Sequence, residues 1–289
     1  MRRPELGCTP SRSVHGRVFR LAIAVLGIAM LAGCGAFRSM ELASANLLFS
    51  PSWEAGLGAG FAPEIEADTK ILDNAAAQAW VTALGNELVK HSPKTEQSFT
   101  FKVTASEEVN AFAIPGGFCY VNIGLLKYAD SEAEVAAVVG HEINHVTMRH
   151  GVLSLQRRLV QQGGLEFAKQ LAGADPRSAA VASAVAGAGG MVATRSFGRE
   201  DEREADRLGV EAIYKAGFDP RAAKTFFEKL AAIQAKSGGG GGGPLDRMLS
   251  THPATKERIA NIEAQVSEYD LNGPFRQDSP EFRRLKSRL

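Results

Sequence analysis

The chain contains little cysteine, few aromatic residues and almost no net charge. Its three cysteines, Cys8, Cys34 and Cys119, are too few for a disulfide framework. Aromatic side chains make up 7% of the residues, so a hydrophobic core must consist mainly of Ala, Leu, Val and Ile. The 33 basic and 32 acidic side chains nearly cancel, and this balance does not favour nucleic acid as a partner.

The N-terminal segment is basic and then apolar, but its apolar run is short. Five arginines precede residues 21–33, which carry no charge. A membrane-spanning helix needs about 20 apolar residues, whereas a secretory signal peptide has a shorter apolar region behind a basic one. The run ends in Leu31-Ala32-Gly33-Cys34, which resembles a bacterial lipobox. We therefore expect residues 1–33 to be a lipoprotein signal peptide and Cys34 to be the lipidated N-terminus.

Lipidation would anchor the protein at a bacterial membrane, facing the periplasm, without a spanning helix. Gly35 follows the cysteine, at a position where Asp often marks retention at the inner membrane of Gram-negative bacteria. Glycine there favours the outer membrane over the inner one. Cys119 would be the one cysteine of the mature chain without an acyl group, so no internal disulfide could form.

Composition divides the mature chain into three parts. Residues 34–65 contain Pro and Gly without a clear period and are predicted to be a tether. Residues 66–268 carry the periodic patterns of a folded domain, and residues 269–289 form a basic, polar tail. Within the domain, the composition of the Ala- and Gly-rich stretch 172–193 is compatible with either a closely packed helix or a loop. The glycine run 238–243 is a flexible linker or loop.

The strand patterns of this domain are few. Residues 98–104 alternate apolar and polar side chains, as in a half-buried strand. Residues 109–114 and 118–123 flank Pro115-Gly116-Gly117, which is typical of a hairpin. The sequence therefore predicts a small antiparallel sheet.

Helical periods dominate elsewhere. Apolar residues fall on one face over residues 66–91. Ser131 and Glu134 form a capping box, and the apolar period after them predicts a helix to about His150. Further helices are predicted over residues 152–171, 200–216, 219–236 and 254–268. The fold class is therefore α+β and mainly helical.

A metal-binding pattern lies inside the capped helix. Residues 141–145 read H-E-x-x-H, with His141 and His145 four residues apart. Four residues advance a helix by about 6 Å and slightly more than one turn, so both imidazoles can bind one Zn²⁺. Glu142 projects beside them and can act as a general base toward a water that the metal activates. His150 is rotated away from the pair and is expected to be a C-terminal helix histidine favoured by the helix dipole.

A catalytic zinc needs a third protein ligand. The acidic run at residues 200–204 begins a second helix, and composition alone leaves Glu200, Glu202 and Glu204 open as candidates. Asp206 lies one turn beyond Glu202 on the same face. It suits an acceptor for the other ring N–H of a ligand histidine.

Three sequence elements in this order resemble one known family. Residues 110–117 read Asn-Ala-Phe-Ala-Ile-Pro-Gly-Gly, residues 141–145 carry H-E-x-x-H, and residues 202–206 read E-x-x-x-D. They resemble the HtpX and CAAX-prenyl-protease type of zinc metallopeptidase. With the lipobox, they are most similar to its periplasmic lipoprotein branch, the BepA-like and LoiP-like proteins. The resemblance covers residues 66–268.

The resemblance implies a zincin-like (gluzincin) fold with one Zn²⁺ per chain. In the family pattern, His141, His145 and Glu202 would bind the ion, with Glu142 as the general base. Asp206 would support a ligand histidine through its other ring nitrogen.

The resemblance also singles out His252. Residues 250–253 read Ser-Thr-His-Pro and resemble the family's segment before its last helix. A histidine near the zinc at this point would have one of two roles. It would stabilise the oxyanion during catalysis, or it would occupy the open coordination position in a resting state.

The hairpin gives a substrate-binding hypothesis. Peptidases of this type bind an extended polypeptide along a strand edge near the metal, and Asn110, Ala111, Phe112 and Ala113 would offer that edge. Alternate strand residues face opposite ways, so Phe112 can also fill the core.

These features favour a lipid-anchored zinc endopeptidase that hydrolyses misfolded or misassembled cell-envelope proteins. Polypeptides would be its substrates, and the envelope assembly machinery a further partner. The alternative is an assembly or chaperone-like factor with a self-capped zinc site and little proteolysis. A purely structural zinc lipoprotein is disfavoured, because such a site needs no base like Glu142 beside its ligands.

Overall fold

The computed structural model of the protein describes residues 48–93, 97–178, 181, 183–185, 197–236 and 246–289. The predicted signal peptide, Cys34, part of the stretch 172–193 and the glycine run 238–243 lie outside the described residues.

Helices and one small sheet make up the described parts of the chain. In chain order the elements are α1 (Pro51–Thr69), α2 (Ala75–Val89), β1 (Thr100–Thr104), β2 (Ala111–Ile114), β3 (Phe118–Asn122), α3 (Ile123–Tyr128), α4 (Glu132–Thr147), α5 (His150–Ala172), α6 (Arg199–Lys215), α7 (Arg221–Lys236), α8 (Asp246–Thr251), α9 (Lys256–Ser267) and α10 (Pro280–Lys286). The predicted α+β, mainly helical class is confirmed. Among these helices, none combines the length and apolar character needed to cross a membrane.

The sheet is mixed, with the strand order β1-β3-β2. The predicted hairpin is present: β2 and β3 pair antiparallel, and Gly116 and Gly117 between them have φ of 85° and 88°. However, β1 pairs with β3 in parallel, so the prediction of a wholly antiparallel sheet is wrong. β3, the second strand of the hairpin, lies between β1 and β2. The alternation of side chains along β1 predicts a strand, but it does not show whether that strand runs parallel or antiparallel to its neighbour.

The core centres on α4, which carries the H-E-x-x-H pattern. Ser131 caps this helix by accepting a hydrogen bond from the Glu134 amide. Every residue of α4 is buried, against α2, α6, α7 and β2. α6 approaches α4 closely at Gly209, where a Cβ atom would lie 3.0 Å from the His141 backbone nitrogen. Glycine at this point lets α6 reach the metal-binding face of α4.

The predicted tether is wrong for residues 51–65, which belong to α1. Ser50 caps this helix, and Pro51 stands in its first turn, where its missing N–H costs nothing. The helix buries large apolar side chains, among them Trp53 and Leu57. It ends at Thr69, so the predicted helix over 66–91 is in fact the end of α1 and all of α2. Pro and Gly usually indicate loops, but α1 accommodates Pro51 in its first turn and Pro63 in its interior.

The predicted polar tail is also incorrect in part. Within residues 269–289, α10 begins after its cap Ser279 and buries Phe282 and Leu285 in the core. The Phe282 ring lies 5.1 Å from the Trp80 ring of α2. Two apolar side chains in a basic segment are too few to show a helical period, although they are enough to anchor one short helix.

Candidate metal centre

The two histidines of α4 converge as their spacing predicts. The Nε2 atoms of His141 and His145 lie 2.9 Å apart, and both side chains are buried. Burial, together with the neighbouring histidines His141 and His150, lowers the pKa of His145 well below its usual range. The imidazole of His145 is therefore neutral, which is the form that ligates a metal ion.

The first turn of α6 supplies the acidic group. Glu202 places Oε2 3.6 Å from His141 Nε2 and Oε1 3.5 Å from His145 Nε2. Glu200 is instead exposed and pairs with Arg203. Glu204 contacts His150. Of the three carboxylates that composition left open, Glu202 is the one that reaches the histidine pair.

A fourth donor comes from the segment after α8. His252 Nδ1 lies 3.2 Å from His141 Nε2 and 3.0 Å from Glu202 Oε1. Its other ring nitrogen, Nε2, lies 3.3 Å from Glu142 Oε1. His252 is buried, so the structure places it inside the cluster and between the candidate ligands and the candidate base.

The cluster fits a zinc ion in both chemistry and spacing. One donor atom from each of His141, His145, Glu202 and His252 lies within 4.8 Å of the others. The donor separations given above run from 2.9 to 3.6 Å. Tetrahedral ligands at about 2.0–2.1 Å from Zn²⁺ are about 3.3 Å apart. Imidazole and carboxylate groups are ordinary zinc ligands.

Glu142 lies beside the cluster without belonging to it. Burial raises the pKa of this carboxyl group, and the nearby His252 and His141 oppose that effect. The Ala113 backbone N–H of β2 donates a hydrogen bond to the carboxylate. α4 carries Glu142, and β2 thus supplies a backbone donor to its carboxylate.

Residues 75–266 match peptidase family M48. The beta-barrel assembly-enhancing protease of Escherichia coli (strain K12) is 30% identical over 250 residues, which is 85% of this chain and 50% of that protein. Metalloprotease LoiP of the same organism is 30% identical over 185 residues, 64% of this chain and 67% of LoiP.

The protein belongs to peptidase family M48. M48 metallopeptidases use zinc, so zinc is the metal that this cluster is expected to hold, and the predicted family is confirmed. The mitochondrial metalloendopeptidase OMA1 of Arabidopsis thaliana is 35% identical over 168 residues, 56% of this chain and 31% of OMA1. The chain spans about half the length of the assembly-enhancing proteases that it matches.

A buried arginine supports this M48 site from behind. Asp206 Oδ1 lies 2.9 Å from His141 Nδ1, where sequence analysis expected the acceptor. Arg258 donates to both Asp206 oxygens at 2.7 Å, and its Nη1 lies 2.7 Å from Glu202 Oε2. Burial by itself would raise the pKa of Asp206, but Arg258 and His141 lower it to about 2. No local pattern predicts this role of Arg258, which stands five residues after Pro253 of the Thr-His-Pro segment.

The pKa of Glu202 is likewise low. Burial would raise it, but the charges of His252 and Arg258 and a hydrogen bond from His252 lower it to about 2. Glu202 is therefore ionised at neutral pH, as a metal ligand must be.

His150 does not occupy the helix C-terminus where it was predicted. α4 ends at Thr147, and Arg149, with φ of 58°, turns the chain so that His150 begins α5. This turn brings His150 Nδ1 to 2.9 Å from His145 Nδ1. A period of apolar residues cannot show a single left-handed residue, so the prediction extended α4 too far.

Phe197 is a further neighbour of the site that sequence analysis missed. Its ring stacks on His145, with centroids 3.9 Å apart and an angle of 22° between the planes. The His252 ring lies 5.8 Å from Phe197. The stretch before α6 carries no pattern that would have indicated this contact.

The predicted substrate edge lies next to the cluster. β2 is at one edge of the sheet, and its Ala113 contacts Glu142. Asn110, Ala111, Phe112 and Ala113 are all buried, and the Phe112 ring stacks on Tyr120 at 5.1 Å. The packing role considered for Phe112 is therefore real.

Proposed function

We propose that the protein is a lipid-anchored zinc endopeptidase that hydrolyses misfolded or misassembled envelope proteins. The observation that supports it best is the convergence of His141, His145 and Glu202, with Glu142 beside them and buried. A structural zinc site does not need a carboxylate in that position.

Zinc, when bound, supplies Lewis acidity that polarises a peptide carbonyl and acidifies water. The residues of the chain would do the rest. Glu142 accepts the proton of the attacking water and passes it to the leaving amine. Burial raises the pKa of Glu142 toward the working pH, which suits a group that both accepts and returns a proton. The Ala113 N–H holds the carboxylate in place.

The unpaired edge of β2 would bind substrate as an added strand. The Asn110 carbonyl accepts from the Asn122 amide, so Asn110 faces β3. In an antiparallel pair the main-chain groups of successive residues alternate between the partner strand and the free edge. Ala111 and Ala113 therefore face the free edge, where the Ala113 N–H is already bonded to Glu142. Main-chain hydrogen bonds depend little on the side chains of the substrate, so this mode of binding suits a peptidase that accepts many damaged proteins.

His252 would cap the zinc site in the resting enzyme. Its Nδ1 atom occupies the position of a fourth ligand, within 3.2 Å of both His141 Nε2 and Glu202. An oxyanion-stabilising group would instead have to leave that position open to substrate. The His252 side chain would have to leave this position when a polypeptide enters.

The anchor and the partners are inferred from the sequence and from the relatives. The lipobox supports acylation of Cys34 and attachment at a bacterial membrane on its periplasmic side, and Gly35 supports the outer membrane. One group of relatives is named for beta-barrel assembly, which supports the envelope assembly machinery as a partner.

The test is casein hydrolysis by purified Glu142→Gln protein that retains its zinc. We expect the rate to fall by at least about 10²-fold, because the base is lost while the metal stays. Glu228→Gln, at an exposed position of α7, is the matched control and should keep the wild-type rate. Undiminished hydrolysis by Glu142→Gln would contradict the proposal.

A second candidate function follows from the buried, four-donor arrangement. If His252 never leaves the cluster, the protein is an assembly or chaperone-like factor with little proteolysis. In that case zinc-loaded wild type does not hydrolyse casein, while it still suppresses aggregation of an unfolded outer-membrane protein.

A further inference from the structure

His145 is held from behind by a second buried histidine. His145 Nδ1 lies 2.9 Å from His150 Nδ1, and His150 Nε2 lies 3.1 Å from Glu204 Oε2. His150 is fully buried at the start of α5. The contacts form a chain from the metal cluster through two rings to a carboxylate on α6.

The positions of the protons in this chain follow from the metal. Because His145 Nε2 points into the cluster, its lone pair is needed for zinc and its proton must sit on Nδ1. His145 Nδ1–H then donates to His150 Nδ1, which must be an acceptor. The proton of His150 therefore sits on Nε2 and is donated to Glu204.

The other ligand histidine has a simpler support. His141 Nδ1 faces Asp206 directly at 2.9 Å. Both supporting carboxylates, Asp206 and Glu204, are carried by α6, and Glu204 contacts His150, which in turn contacts His145. His150 takes this position because the left-handed Arg149 turns the chain there.

We propose that His150 is a positioning residue that acts through His145. It fixes the tautomer and the ring orientation of His145 for zinc ligation, and Glu204 in turn fixes His150. This proposal rests on the zinc site of the proposed function and deepens it. Supports of this kind change metal affinity by about 10–100-fold in other zinc proteins.

Zinc affinity tests the proposal independently of proteolysis. The dissociation constant of full-length protein in detergent is measured by competition with a chromophoric chelator, for His150→Leu, His150→Asn and Glu204→Gln. His150→Leu should bind zinc about 10–100-fold more weakly than wild type. His150→Asn puts a carbonyl oxygen near the place of Nδ1 and should recover most of that loss. Glu204→Gln should lose less than His150→Leu.

Two further measurements separate positioning from folding. The visible spectrum of Co²⁺-substituted protein should change in His150→Leu and return toward wild type in His150→Asn. Thermal unfolding with EDTA reports the stability of the metal-free fold. Glu200→Gln, exposed on the same helix, is the matched control and should bind zinc as wild type does.

Wild-type affinity and an unchanged Co²⁺ spectrum in His150→Leu would overturn the proposal. Equal losses in His150→Asn and His150→Leu would overturn it as well, because the filled volume rather than the hydrogen bond would then matter. If His150→Leu does not fold, the zinc dissociation constants of His150→Asn and Glu204→Gln are compared with that of wild type. A wild-type dissociation constant in Glu204→Gln would then overturn the proposal. A wild-type protein that binds zinc but hydrolyses nothing would contradict the proposed function and leave this result intact.

Discussion

At the scale of single residues, the site is a buried set of opposite charges. Arg258 contacts both Asp206 and Glu202, and the three side chains are almost inaccessible to water. Burying charges is costly, and removing one partner of a buried pair typically destabilises a protein by about 3–5 kcal/mol. A bound Zn²⁺ would add positive charge beside Glu202, so the metal and Arg258 share the same carboxylate.

Zinc retention should separate the ligands from their supports. Purified protein is expected to lose its zinc in His141→Ala and to bind it more weakly in Glu202→Ala, because each removes a donor of the cluster. Asp206→Ala should cost about 10–100-fold in affinity, since it removes a partner of His141 rather than a ligand. Dialysis against graded chelator, followed by metal analysis, measures all three.

Glu200→Ala is the matched control for this series, because its carboxylate is exposed on the same helix. If Glu204→Ala released the zinc and Glu202→Ala did not, the assignment of the third ligand would be wrong.

At the scale of elements, the site depends on three segments that meet at α4. α6 approaches closely at Gly209, β2 supplies a backbone donor to Glu142, and the segment after α8 brings His252 into the cluster. The first two are held by extensive packing. The third reaches the cluster directly after α8, a helix of only six residues.

Replacing His252 tests whether this segment closes the site. His252→Ala should retain zinc through His141, His145 and Glu202, and it should hydrolyse casein faster or with less selectivity. The physical reason is that the fourth position would be open without a movement of the chain. The initial rate on protein with measured zinc content gives the answer.

A slower rate in His252→Ala would contradict the capping role. A fall of about 10²–10³-fold would be the size found when an oxyanion donor is removed. Lys256→Ala, at an exposed position at the start of α9, is a nearby control and should not change the rate.

At the scale of the whole molecule, the anchor should determine where the enzyme works. Wild-type protein is expected in the membrane fraction, because the proposed acyl chains on Cys34 would insert into the bilayer. Cys34→Ser should release a soluble pool or leave an unprocessed precursor. Fractionation followed by detergent partitioning distinguishes these species.

Cys8→Ser, within the predicted signal peptide, is the matched control and should fractionate as wild type does. Complete recovery of mature Cys34→Ser protein in the same membrane fraction would contradict lipid anchoring.

The residues of the metal site could be predicted from the sequence more completely than the packing of the helices. His141 and His145 could be paired because helical spacing alone brings them together, and the capping box at Ser131 located the helix. The same reasoning could not tell which of Glu200, Glu202 and Glu204 is the third ligand, because this depends on how α6 is rotated about its axis relative to α4. That rotation is set by contacts such as Gly209, which no local pattern shows.

The segments at both ends of the domain were harder to predict. α1 and α10 were expected to be tether and tail because they are short of periodic apolar residues or rich in Pro and Gly. Their helices form through tertiary contacts, with Trp53 and Phe282 as buried anchors. The buried pair of Glu54 and Arg149, 2.7 Å apart, joins α1 to the turn between α4 and α5. Contacts between residues so far apart in sequence leave no local signal.

The most direct test of the account is the dependence of hydrolysis on bound zinc. Wild-type protein is stripped with a chelator, zinc is titrated back, and the casein rate is measured together with the metal content. The rate should be absent without metal and rise in proportion to bound zinc up to one ion per chain, because one cluster carries the chemistry. Full hydrolysis by metal-free protein, or none by protein with one zinc per chain in both wild type and His252→Ala, would contradict it.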